Sequence, residues 1–387
     1  MTDILTDSDK FREPMSVRER FDRVMHYRKV DRIPFFEFGY WNETLPTWHE
    51  QGLPKEIDNE RKAYDYFGIE NRSGVPVNVQ VFPGPVYEAE VLEETDEYIT
   101  KREPDGRITR INKTGYKSIP QHIGFGIQGR KDWERYKKHL DPHAEGRISP
   151  SFYENLDRYR DRDYPLAAPI GSMIGVPRNW IGFEHIGLLA YDDPDLLDEI
   201  VETLCRCVEV QLQEVCQYID FEMGAGWEDI CFNSGPIISP AMYDQFVTPR
   251  YKRITDILRK HGCDVIFTDC DGNIQPIIDC FLKGGINCMF PCEVNGGSDP
   301  VEIREKWGTQ VLIMGGVCKM RLAEGPRVIE EEMRRLEPVV REGGFIPHVD
   351  HRVPPSVSLE NYKFYLKTKR AMFNAGYKEP QYDEKIV

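Results

Sequence analysis

The order of apolar and polar residues changes rhythm twice along the chain. Residues 16–30 set Phe21, Val24 and Met25 at helical spacing, with Ser16 and Glu19 in capping-box positions. Residues 32–39 (RIPFFEFG) follow as an apolar run that reads as a buried strand. Between about 77 and 115, polar and apolar residues alternate and Pro104-Asp105-Gly106 marks a turn, which predicts an antiparallel meander. Residues 131–140 read as a charged surface helix. From about residue 164 the rhythm is regular. The strand-like segments YPLAAPIGS, DFEMGAGWEDICF, CDVIFTDCDG, INCMFP, VLIMGG and GGFIPHVDH alternate with amphipathic stretches near 195–218, 239–261, 274–283, 299–306, 326–341 and 358–373. Ser239 and Pro240 stand as cap and first helical residue of the second stretch. Apolar strands between amphipathic helices belong to parallel β/α architecture. About eight such units fit, so the expected fold is α/β: a (β/α)8 TIM barrel with an N-terminal helix and an inserted antiparallel β meander. Residues 1–387 are expected to form one domain, with the irregular insertion at about 75–160.

Composition narrows the function classes. The chain carries 50 Lys and Arg against 65 Asp and Glu, a formal net charge of -15, which would repel a polyanion and argues against nucleic-acid binding. No stretch approaches the roughly 20 apolar residues of a membrane-spanning helix. The polar, acidic start lacks the basic and apolar regions of a signal peptide, so a cytoplasmic location with no membrane partner is expected. All ten cysteines fall between Cys205 and Cys318, none in CxxC spacing, and read as reduced core residues. No GxGxxG or GxxxxGK[ST] run follows a strand.

In a barrel, residues just past the C-terminal ends of strands face the active site. Here those positions hold Glu37, Tyr40 and Trp41, then Ser172, Glu222, Glu228 and Asp229. Asp269, Asp271 and Asn273 follow the next strand, then Cys292 and Glu293, Lys319, and finally His348, Asp350 and His351. The strands are apolar and their ends are dense in ionisable groups. Any one of these could cap a helix or shape a turn; the set points to a site. Asp269 and Asp271 with His351 have the residue types of a three-ligand catalytic centre for zinc or a related divalent ion. Glu228, His351 and His348 are the candidates for acid–base work, and Glu37, Tyr40, Trp41, Asn273 and Glu293 for substrate contact. The aromatics near Tyr40 and Trp41 suit an apolar pocket wall and suit core packing equally.

The segments GWEDICFNSGPIISPAMYDQFVTPRYKRI, DVIFTDCDGN, INCMFPCE, VLIMGGVCK and GGFIPHVDHRVPPSVSLENYKFY carry a resemblance across about residues 222–369. They resemble the uroporphyrinogen decarboxylase (URO-D)-like superfamily, closer to its corrinoid-dependent methyltransferase branch than to true uroporphyrinogen decarboxylases. The resemblance implies a TIM barrel and methyl transfer between a small methylated substrate or acceptor and a corrinoid protein, with metal assistance. The methyltransferase branch carries His-x-Cys and a later Cys as ligands; the matching positions here are Asp269, Asp271 and His351, a harder donor set. The decarboxylase branch carries an arginine-rich run after the first strand, whereas this chain has no arginine between Arg32 and Arg61. Such a run would supply the fixed positive charge that a polycarboxylate substrate requires. Decarboxylation of a porphyrinogen or a smaller acid is the alternative chemistry, and a non-catalytic barrel binding a corrinoid or small ligand is a third.

Overall fold

The computed structural model describes residues 3–7, 10–11, 14–70, 77–114 and 120–374. Chain packing divides it into two compact units: Met1–Arg72, Asp163–Pro165 and Asp299–Val387 form one, and Ser73–Arg162 with Leu166–Ser298 the other.

The second unit is built on four parallel strands, Ala167–Gly171, Met223–Trp227, Val265–Asp269 and Cys288–Phe290. The pairing sets Trp227 and Phe290 on either side of Asp269, so the C-terminal ends of three strands are level. Val265 through Thr268 are all buried, as expected for a strand covered on both faces. The Pro194–Val215 helix starts at Asp193, whose side chain accepts the Leu196 N–H, and buries Leu197, Ile200, Val201, Leu204, Val208 and Leu212. The stretch expected as one helix over 239–261 is interrupted. Pro240–Met242 leads into a π turn at Tyr243–Val247, and the α-helix resumes at Thr248–Lys260. Pro249 has no N–H to return to the preceding turn, which explains the break.

Glu90–Glu94, Tyr98–Arg102, Ile108–Asn112 and Gln121–Gly124 form a four-stranded antiparallel sheet in chain order. Its central turn is closed by the Gly106 N–H to Glu103 O bond of 2.9 Å. Gly106 takes φ +86, a conformation glycine adopts without strain. The Arg130–Lys137 helix is less of a surface element than its charges suggest, because Trp133 and Tyr136 are wholly buried beneath it.

The first unit has two parallel strands, Leu312–Val317 and Phe345–Val349, paired from Ile313↔Phe345 to Val317↔Val349. Every residue in both is buried. Helix Pro300–Trp307 precedes the first of these strands, Pro326–Glu342 connects the two, and Leu359–Met372 comes after the second. The N-terminal helix is Val17–Met25, with Ser16 Oγ accepting the Glu19 N–H at 3.1 Å. The apolar run at 32–39 is extended but is not a regular strand. It is held by an isolated bridge of Arg32 to Asn374, another of Tyr40 to Val353, and a Glu70 N–H to Phe35 O bond. Pro34 removes one ladder donor from this run.

Candidate active site

In the second unit the Glu228 carboxylate is enclosed by main-chain donors. Met173 N–H reaches Oε1 at 2.6 Å, while Ile174 and Gly175 N–H reach Oε2 at 2.9 and 2.8 Å. Tyr251 Oη donates to Oε1 as well. The side chain is wholly buried. Burial pushes its pKa up, and the Tyr251 and backbone hydrogen bonds oppose that rise. Its acceptor sites are thus committed to the Met173–Gly175 main chain and to Tyr251, which makes Glu228 the anchor of that loop.

The neighbouring residues are more open. Arg178 lies 5.3 Å above the Trp227 ring, donates to Asp229 O, and pairs with Asp229 Oδ2 at 3.2 Å. Asp229 sits at φ 44, a left-handed conformation of a kind found where a site fixes its backbone. Glu228 and Asp229 N–H both bond to Asp269 O, at 2.8 and 3.0 Å. One Glu293 carboxylate oxygen accepts the Gly272 N–H at 3.2 Å, and Asn273 Oδ1 accepts the Gln275 N–H at 3.2 Å. Asn273 therefore shapes its own turn. Half-buried Trp227, Asp229, Asp269, Asp271 and Glu293 line the strand ends of this unit.

In the first unit, Glu37 and His348 are sealed from solvent. Glu37 Oε1 accepts from Tyr365 Oη and Lys369 Nζ, each at 2.8 Å, and Oε2 accepts the Val349 N–H at 3.3 Å. His348 Nδ1 lies 2.8 Å from Val349 O, which assigns its proton to Nδ1. Asp350 is buried; its Oδ1 accepts the Lys319 N–H at 2.9 Å, with the Lys319 ammonium 3.7 Å away. His351 is half-buried. Its ring stacks on Trp41 at 5.1 Å and meets the edge of Phe38 at 5.4 Å. Tyr40 belongs to the core: its hydroxyl is 3.1 Å from that of Tyr362, and Trp48 crosses it edge-on at 5.4 Å.

Among the described residues no group of three or more His, Cys, Asp or Glu side chains is arranged to hold a metal ion. The expected ligands Asp269 and Asp271 belong to the second unit and His351 to the first. Neither unit alone supplies the expected three-ligand set.

The family model of uroporphyrinogen decarboxylase (URO-D) matches residues 118–372 of the 387. The chain belongs to the URO-D family. Among solved structures, this URO-D family member is similar to a methyltransferase from Methanosarcina mazei, at 14% identity and a TM-score of 0.55. That likeness covers 92% of this chain and 99% of the other, and it is one of fold. No curated protein matches the sequence. No helix among the described residues is long and apolar enough to cross a membrane.

Sequence reasoning missed the partners that hold the family member's strand ends in place. Tyr251, Tyr365 and Lys369 lie on the buried faces of helices and bind Glu228 or Glu37. The available signal was a lysine on the apolar face of the last helix, in step with Tyr362 and Leu366. Trp227 and Arg178 were also missed, one inside a strand and the other in the Gly175–Ile181 helix.

Proposed function

We propose that this URO-D family member is a methyltransferase that moves a methyl group between a small methylated substrate or acceptor and a corrinoid carried by a partner protein, on a (β/α)8 barrel. The observation that carries the reading is His351, half-buried just past a strand end and framed by Trp41 and Phe38. When a methyl group leaves a heteroatom, negative charge builds on that atom. A proton delivered there lowers the barrier, and an imidazole can hold or give one near neutral pH. The corrinoid supplies the methyl-accepting centre.

His348 and Glu228 act in this reading as positioning groups, because each is buried and already bonded to the main chain. Half-buried Trp41, stacked on the His351 ring, offers an apolar face to a methyl-bearing body. The lack of an arginine run after residue 32 supports methyl transfer over tetrapyrrole decarboxylation.

The test incubates the purified protein with methylated ethers, thioethers and amines and reduced cobalamin, following methylcobalamin absorbance and the demethylated product. Formation of both supports the reading. Decarboxylation of uroporphyrinogen with no methyl transfer from any donor rejects it.

A further inference from the structure

A cavity of about 140 Å³ lies within the first unit, among residues to which the proposed methyl transfer gives no role. Ile33, Pro34, Phe35 and Phe373 give it apolar walls. Arg32, Glu70, Lys369 and Arg370 share the lining, so the space suits a body of a few carbon atoms with a polar end.

The charges around it are unevenly compensated. Arg32 holds Glu70 through two bonds of 2.9 and 2.5 Å, and the Phe35 N–H adds a third at 2.8 Å. Burial pushes Glu70 upward, yet the Arg32 guanidinium and the Phe35 N–H keep its pKa below the ordinary carboxylate value. Glu70 thus demonstrates how a carboxylate is received here. Lys369 is committed to Glu37. Arg370 is different. It lines the cavity, its Nη2 donates to Phe67 O and Gly68 O, and its Cζ lies 4.1 Å from the Phe35 ring centroid. Among the described residues no carboxylate pairs with it. A guanidinium has five N–H donors, and among the described residues the bonds that Arg370 makes come from Nη2.

The cavity also sits at the C-terminal end of the Leu359–Met372 helix, whose partial negative charge disfavours an anion. That end is covered. Met372 O accepts from Arg341 Nη2 at 3.2 Å, and Phe373 O accepts the Ile33 N–H at 3.1 Å. The fixed guanidinium is left as the dominant uncompensated charge.

We propose that this cavity is a second binding site, taking a small carboxylate with a short apolar body. Arg370 receives the carboxylate, and Phe35 and Phe373 wall the carbon chain. Such a ligand exploits a guanidinium already oriented by two carbonyls and a ring, so little ordering is needed on binding. The inference goes beyond the methyl-transfer reading and stands whether or not that reading holds.

The test is hydrogen–deuterium exchange on the full-length protein titrated with propionate and, separately, with the neutral isostere propionamide. Saturable protection by propionate alone, in peptides covering residues 33–35 and 368–373, is expected. Affinity should fall at least tenfold in Arg370→Met and less in Arg370→Lys. Protection elsewhere, equal binding of propionamide, no saturation, or unchanged affinity in a folded Arg370→Met would overturn the proposal. Should Arg370→Met fail to fold, the wild-type comparison of the two probes decides.

Discussion

Lys369 Nζ lies 2.8 Å from Glu37 Oε1, with 2% and 0% of the two side chains exposed. The same carboxylate accepts the Val349 N–H and the Tyr365 hydroxyl. The pair therefore ties the extended segment at Glu37 to the strand that leads to His351. Burial pushes the Lys369 pKa down, and the Glu37 charge opposes that shift. Lys369→Met would strand a buried carboxylate, at a cost of about 3–5 kcal/mol. Replacing both partners, as Lys369→Met with Glu37→Leu, should recover part of that loss. Urea unfolding of the two variants measures it; a single-variant loss below about 1 kcal/mol contradicts the pairing.

Glu228 predicts a pH dependence. Its folded pKa is raised above the ordinary value of 4.5 by burial. Below the unfolded value both states are protonated, and its contribution to stability is fully present. As pH rises through the folded pKa, the unfolded state releases its proton first and that contribution is lost. Glu228→Gln does not titrate, so the stability advantage of wild type over the variant should be largest at acid pH and shrink as pH rises. The amide also turns an N–H2 toward main-chain donors, costing about 1–3 kcal/mol. Chemical unfolding at pH 4 to 8 checks this, and a gap that widens with pH would contradict the sign.

Gly175 fixes how closely the Glu228 main chain approaches. A Cβ there would lie 2.0 Å from Glu228 O and 2.6 Å from its carbonyl carbon. Backbone cannot yield as a flexible side chain would, so Gly175→Ala should cost about 1–3 kcal/mol or more. Gly84 has nothing within 4 Å of its Cβ position. Gly84→Ala should stay within about 0.5 kcal/mol, and thermal melts compare the two.

Much of this architecture is legible in the chain. Parallel strands announce themselves as apolar runs, and Ser16 and Ser239 each accept a first-turn N–H as their positions suggest. Strand-end residues could be named because the segment rhythm places them. Their roles were less accessible. Glu228 reads as an acid–base group until the three N–H donors from residues 173–175, more than 50 positions away, are seen. Tyr40 reads as a pocket wall until Trp48 and Tyr362 enclose it. The run at 32–39 looks like a strand because its apolar residues dominate, while bridge pairing and Pro34 decide its form. Local pattern encodes elements, whereas hydrogen-bond partners distant in sequence decide what each side chain can do.

In the proposed reaction His351 manages the proton during methyl transfer. The most direct measurement is single-turnover methylcobalamin formation from an active donor, comparing wild type with His351→Ala and with His351→Ala plus added imidazole. A rate about 10²–10⁴-fold lower is expected in the variant, with an unchanged melting curve and partial rescue by imidazole. A folded His351→Ala that turns over at the wild-type rate would contradict that role.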